Sequence, residues 1–466
     1  MVFSSTFFVF FFFPFVFILY NIIPSKFWNI FLLCVSLLFY AWGEPFFIFV
    51  MVGSILLNYI SGLLISKFEG QDFYKKIVFI IGISLNIFLL IYFKYFNFLI
   101  ENLTDIFKLN INFEKVILPI GISFFTFQAL SYIIDLYFNK IKVQKNLIDL
   151  ALYISLFPQL IAGPIVRYKS IENQLKKRSI NIYKTSYGLK RFIAGLTKKV
   201  FFANILGETA DKIFALNINE YSQLTAWLGI LCYTFQIYYD FSGYSDMAIG
   251  LGRMFGFRFI ENFNYPYISR TITEFWRRWH ISLSSWFRDY VYIPLGGNRK
   301  GKNRTFINLI IVFLLTGFWH GASWNFIIWG IYYGIFLIFE KIFLKFSNSK
   351  KFGFWNVYTF FIIVNGWVLF RSPDLNYAFD FFRKLYFNFN SDLVIYDFES
   401  FFNKRVMIFL VGAFIFCTPI IKNLMNRISK FRLTFYVERF VYVILIFLNI
   451  IFVGASTYNP FIYFRF

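Results

Sequence analysis

The chain has 466 residues, 59% of them hydrophobic and only 15% charged, with a mean hydropathy of +0.61 and a formal net charge of +22. Soluble domains carry about a quarter charged residues, so a water-soluble enzyme is excluded and the length does not translate into two or three soluble domains. Net positive charge can mark a nucleic-acid binder, but here Lys and Arg fall between apolar runs, the pattern of loops facing anionic lipid, so the expected partner is the bilayer and not nucleic acid.

A membrane span needs about 20 apolar residues. Taken in order, the candidate runs are 5–23, 27–43, 46–66, 77–100, 116–138, 223–250, 305–339 (long enough for two pieces), 354–371, 405–421 and 437–455. The first basic residue, Lys26, follows the first run and no small-residue cleavage site comes after it, so no cleavable signal is expected. Stretches 147–166, 200–216 and 276–295 are apolar but broken. The expected architecture is an all-α polytopic membrane protein with about eleven transmembrane helices plus re-entrant or interfacial ones. It is read as a single membrane domain, 1–466, with its motif-bearing core at about 116–340. Cys34, Cys232 and Cys417 stand alone in apolar runs, as packing residues with no metal spacing.

The loops predict orientation. Lys140, Lys142 and Lys145 mark one cytoplasmic loop. The stretch 167–199, with ten Lys and Arg residues from Arg167 to Lys199 against Glu172 alone, marks another. A full span at 147–166 would put the two on opposite sides. The conflict disappears if 147–166 dips in and returns, broken at Pro158, Gly163 and Pro164. Broken backbone at membrane depth has to be covered by protein or line a cavity, so a cavity near Pro158–Pro164 is expected.

Three clusters could carry chemistry. Tyr238–Asp246 reads YYDFSGYSD; Asp240 and Asp246 could orient a histidine, pair with an arginine or line a polar tunnel with Ser242 and Tyr244, or the cluster could be a helix break capped by Ser and Asp. Glu274–Asp289 contains His280, and at helical spacing Trp276, Trp279, Leu283, Trp286 and Phe287 form one apolar stripe beside Arg277, Arg278 and Arg288. That pattern suits a helix lying at the membrane interface, with its tryptophans at headgroup level. The chain's other histidine, His320, lies in Leu315–Trp324, where no Lys, Arg, Asp or Glu occurs between Arg304 and Glu340. An ionisable group inside such a stretch is costly and usually functional. Gly317 and Gly321 clear one helix face beside it, either for a substrate or for small-residue helix packing. A buried imidazole is neutral at pH 7 and suits deprotonation of a hydroxyl attacking a thioester. No G-x-S-x-G elbow, P-loop or zinc pattern is present, and no metal is expected.

At these residues the chain resembles the membrane-bound O-acyltransferase (MBOAT) family, in the branch of the alginate and peptidoglycan O-acetyltransferase membrane subunits. The resemblance is carried by Phe39–Trp42, Leu118–Phe124, Phe157–Pro164, Asp240–Asp246, Phe275–Ser284, Gly317–Gly321 and the ending Asn459–Phe466. It implies helices ringed around a central funnel, with His320 as the catalytic histidine, His280 as a second important one, and Asp240, Ser242, Tyr244, Asp246, Trp276, Arg277, Arg278 and Trp319 around the substrate path. It also implies acetyl-CoA as acyl donor, no bound cofactor, and a periplasmic SGNH-type esterase-like partner that acetylates the polymer outside a bacterial inner membrane. Tyr292–Gly301 is similar to the acetyl-transferring rather than the teichoic acid D-alanyl branch, and the Phe- and Lys-rich composition of an AT-rich genome favours peptidoglycan as the polymer. The rivals are D-alanyl transfer, a transporter without acyl chemistry and a haem protein using both histidines. A transporter would show two related halves, and none is visible.

Overall fold

The computed structural model describes residues 1–109, 112–343, 353–387, 395–428, 432–455 and 458–462. All regular structure among them is helical, and Tyr221 and Tyr396 form an isolated parallel bridge. Among the described residues, five helices are long and apolar enough to cross a membrane: Ser25–Gly43, Ile48–Lys67, Asp72–Phe107, Trp324–Phe343 and Thr434–Ala455. A sixth arises if Lys404–Phe416 and Ile420–Ile428, bent by 66°, are one broken span. Not every apolar run gives a helix of that length and apolarity among the described residues. Run 116–138 yields only Ile122–Tyr137, a 16-residue helix. Run 305–339 folds as two helices, Lys302–His320 and Trp324–Phe343, joined at Gly321–Ser323. The long helices carry Phe, Ile and Leu outward; in Asp72–Phe107 and Thr434–Ala455 only 11% of the apolar window is buried, a face suited to lipid tails.

The chain divides into two compact units, Met1–Phe192 with Met247–Ile260, and Ile193–Asp246 with Glu261–Phe466. In the first, helices Ile48–Lys67 and Asp72–Phe107 are joined by reciprocal amide bonds between buried Asn58 and Asn86, at 3.0 and 2.9 Å, the polar link expected between apolar helices. Stretch 147–166 is broken as anticipated, into helices Leu147–Ser155 and Phe157–Leu160 followed by irregular backbone. Packed protein covers it: Leu150–Val166 are buried throughout. Side chains take up the freed backbone groups. The Phe157 N–H donates to Ser36 Oγ (3.1 Å), Gln159 Nε2 to the Tyr153 carbonyl (2.6 Å), and Tyr153 Oη to the Val166 carbonyl (3.1 Å). Gly163 is required there, since a Cβ would stand 2.5 Å from Gln159 Cα. A segment that enters and leaves on one face should leave its flanks on one side, so single cysteines introduced at Lys142 and Lys184 are expected to react with an impermeant thiol reagent from the same side. Labelling from opposite sides would rule out the re-entrant path.

Candidate active site

The site is built within the second unit. Helix Ile272–Arg278 starts at Thr271, whose hydroxyl oxygen accepts from the Glu274 N–H at 2.8 Å while the Glu274 carboxylate reaches back to the Arg270 N–H at 2.9 Å, in the manner of a capping box. The carboxylate of Glu340, on helix Trp324–Phe343, accepts from the Ile272 N–H at 2.5 Å and the Thr273 N–H at 3.2 Å. An anion at a helix N-terminus is favourable, so these contacts fix where this short helix begins.

The single interfacial helix expected across Trp276–Phe287 does not form. It is cut at His280, which has φ 43° and ψ 55°, and resumes as Ile281–Phe287. A left-handed histidine has to be held there, and segment 262–264 holds it. Ile281 N–H donates to the Asn262 carbonyl and Asn264 N–H to the Arg278 carbonyl, both at 2.9 Å, and Ser282 N–H donates to Asn262 Oδ1 at 3.1 Å. Nor is the stripe an exposed face: Trp276, Trp279, Leu283, Trp286 and Phe287 are all buried. Trp276 packs edge-on against Trp329 and Tyr333, at 5.5 and 5.0 Å, and Trp279 lies tilted against Trp367 at 5.0 Å. The aromatic period marks a core, not an interface.

His320 is the last residue of helix Lys302–His320. Its imidazole is 3% exposed and is walled by Trp319, Trp329 and Phe370 at 5.0–5.1 Å. The space cleared by Gly317 and Gly321 is taken by protein. A Cβ on Gly317 would lie 2.2 Å from the Phe326 carbonyl oxygen, and one on Gly321 2.2 Å from the Phe326 ring. Gly330 mirrors this against the Phe313 carbonyl at 2.4 Å. These glycines seat the two helices against each other, the small-residue packing of membrane helices, and thereby set the depth at which His320 stands.

Both histidines line one cavity of about 290 Å³. Its apolar wall includes Trp276, Leu283, Phe287, Val312 and Phe313; its polar groups include Thr273, Ser284, Tyr292, Asn298 and Thr316, and its cations are Arg277, Arg288 and Lys341. A buried histidine pair beside an apolar slot with a cationic margin suits group transfer from a phosphate-bearing donor.

The membrane-bound O-acyltransferase family model matches residues 140–372, which contain both histidines and the whole cavity. The chain is 46% identical over 385 residues to a "Probable alginate O-acetylase AlgI" of Pseudomonas putida, covering 81% of this chain and 79% of that one. The chain belongs to the membrane-bound O-acyltransferase family. It is also 38% identical over 417 residues to a "Peptidoglycan O-acetyltransferase" of Helicobacter pylori (81% and 78% coverage). To a "Teichoic acid D-alanyltransferase" of Bacillus subtilis it is 32% identical over 251 residues, or 50% of this chain and 61% of that one. The chain is therefore a multi-pass membrane acyltransferase, as the resemblance implied.

In this acyltransferase the expected site residues separate. His280, His320, Trp276 and Arg277 line the cavity, and Trp319 lies against both imidazoles, 5.8 Å from His280 and 5.0 Å from His320. Arg278 is not among the lining residues and pairs with Glu274 at 2.7 Å. Asp240, Ser242, Tyr244 and Asp246 do not line the cavity. They sit inside an unbroken helix, Gln223–Met254, so no capped break occurs there. Asp240 pairs with Lys199 and Asp246 with Lys198, each at 2.6 Å. The buried Asp240 carboxylate also accepts from the Ile462 N–H at 2.8 Å, Lys199 donates to the Pro460 carbonyl, and Tyr244 stacks on Phe461 at 4.7 Å. Two parts of the resemblance therefore meet in space, Asp240–Asp246 and the ending; residues 463–466 of that ending lie outside the described residues. Sequence reading missed Thr273, Thr316, Asn298 and Lys341 in the lining, and Asn262 beside His280. Asn298 lies in Tyr292–Gly301, which the resemblance had singled out; Asn262 carried no local signal.

Burial pushes the His280 imidazole down to about 3, outside any candidate span. An unfolded histidine titrates near about 6.5, so below that pH the unfolded chain takes up a proton that the folded site refuses. Stability contributed by neutral His280 is present above about pH 6.5 and falls as pH drops from there toward 3. Thermal melting in detergent, scanned from about pH 8 to about pH 4, is expected to show a steeper acid loss for the wild type than for His280→Gln. Parallel curves would contradict a buried neutral imidazole.

Proposed function

We propose that this acyltransferase takes an acetyl group from a cytoplasmic thioester donor, acetyl-CoA, and passes it across a bacterial cytoplasmic membrane for O-acetylation of a cell-surface polysaccharide, a periplasmic SGNH-type partner completing transfer to the polymer. The observation that carries this is the single cavity lined by both histidines of the chain. His320, as neutral imidazole, takes the proton of an acceptor hydroxyl as its oxygen attacks the thioester carbonyl. The C–O bond forms, the C–S bond breaks, and the proton passes on to the departing thiolate. The apolar wall excludes water that would hydrolyse the thioester. Arg277, Arg288 and Lys341 supply cations for donor phosphates. Acetyl rather than D-alanyl transfer is supported by the pattern of likeness: 38–46% identity over about four fifths of the chain to the two O-acetyl-transferring relatives, against 32% over half to the D-alanyltransferase.

The test is reconstitution in proteoliposomes with isotope-labelled acetyl-CoA outside, on the side corresponding to the cytoplasm, and polymer inside. Label is expected on the polymer only when the periplasmic partner is present. Efficient polymer labelling by this chain alone would remove the partner from the scheme, and failure to consume the donor with the partner present would remove acetyl-CoA.

A further inference from the structure

His280 is 1% exposed, so the groups around it decide which of its nitrogens carries hydrogen. Nδ1 lies 3.2 Å from Asn262 Oδ1 and 3.3 Å from Ser282 Oγ. The Asn262 amide cannot be turned round, because its Oδ1 also receives the Ser282 backbone N–H at 3.1 Å, and an N–H only donates. The Ser282 hydroxyl lies within donating distance of the same Oδ1, at 2.9 Å. Nδ1 thus faces an amide oxygen that can only accept, which places hydrogen on Nδ1 and leaves a lone pair on Nε2. The plane of the ring is set as well: Phe241 meets it edge-on at 4.6 Å and Trp319 at 5.8 Å. The Nδ2 group of Asn262 is buried and has no hydrogen-bond partner among the described residues. The amide is therefore used for its oxygen alone, and an asparagine kept only to join two loops would be expected to use both ends.

We propose that Asn262 is a positioning residue for His280: its side-chain oxygen locks hydrogen on Nδ1 and leaves Nε2 as the acceptor atom of a residue that lines the cavity. This rests on reading the two-histidine cavity as the reaction site. The consequence is chemical. At neutral pH His280 offers the cavity a hydrogen-bond acceptor, so what it grips is a donor group, an O–H or amide N–H of a substrate. The developing oxyanion of a thioester under attack needs a donor, and His280 in this tautomer is excluded from that role.

With two histidines in the whole chain, ¹⁵N-histidine labelling gives a spectrum of two side chains, assigned by His280→Gln and His320→Gln. The full-length protein in nanodiscs is expected to show protonated Nδ1 and unprotonated Nε2 for His280. Asn262→Leu should move the hydrogen to Nε2 or mix the two forms, and lower acyl transfer about 10- to 100-fold, the scale for removing the orienting partner of a functional histidine. The unaltered His320 signal serves as an internal check of folding. Asn262→Asp keeps an acceptor oxygen and should keep the Nδ1–H signature; it also decides the matter if the leucine variant fails to fold. An unchanged His280 tautomer in Asn262→Leu, or Nε2–H in Asn262→Asp, overturns the proposal, as does a tautomer change with no loss of transfer. Wild-type transfer by His280→Gln would instead sink the reading of the cavity while leaving the tautomer result standing.

Discussion

Replacing His320 with Ala is expected to lower acyl transfer by about 10²–10⁴-fold at matched membrane abundance, the usual contribution of a general base. His320 ends a helix whose seating is fixed by Gly317 and Gly330, packed against the carbonyls of Phe326 and Phe313. The backbone around the imidazole is therefore held by these glycine contacts, which its removal leaves in place, so the fold should stay intact. His320→Gln, which preserves more of the volume between Trp329 and Phe370, should lose as much activity as the alanine variant, because what is lost is basicity. The comparison with His280→Ala is informative. His280 lies at the junction of two short helices, tied to Asn262 and Ser282, so more of its loss should fall on donor binding or stability. The assay is acetyl transfer with donor concentration varied. Near-normal transfer by His320→Ala would take this residue out of the chemistry.

The largest expected effect on stability belongs to Asp240 and Lys199, whose side chains are 2% and 3% exposed and 2.6 Å apart. Removing one partner of a buried pair strands the other charge and costs about 3–5 kcal/mol. Asp240→Leu and Lys199→Met should each sharply lower the detergent melting temperature. Each should also loosen the segment Tyr458–Ile462, since Lys199 and Asp240 hold the Pro460 carbonyl and the Ile462 N–H. The double variant Lys199→Met/Asp240→Leu leaves no unpaired charge and should recover much of the loss. A single Asp240→Leu variant that melts like the wild type yet fails to transfer would give the carboxylate a chemical role instead.

Membrane embedding and helical class were legible because they depend on composition and run length, which are properties of the chain read one residue at a time. His320 stood out for a related reason: an ionisable group in a stretch without Lys, Arg, Asp or Glu is conspicuous whatever the fold. The break in 147–166 was readable from Pro158, Gly163 and Pro164, since those residues restrict the backbone locally. The count of about eleven crossing helices rested on run length alone, and among the described residues a run such as 116–138 gives a helix of only 16 residues.

Partner choice was decided only by tertiary structure. Glycines spaced to clear a helix face look the same in sequence whether a substrate or another helix fills the space; the chain filled it with Phe326. Aromatics at helical spacing look the same for an interface and a core, and the break at His280 depends on segment 262–264 reaching across to 278–282. The sequence left Asp240 a histidine, an arginine, a polar tunnel or a capped helix break; it pairs instead with Lys199, together with Ile462 far along the chain. Periodicity records which face of an element is apolar. Which group then satisfies a buried charge or an imidazole nitrogen is settled by distances of a few ångströms between residues far apart in sequence, and only the folded chain sets those.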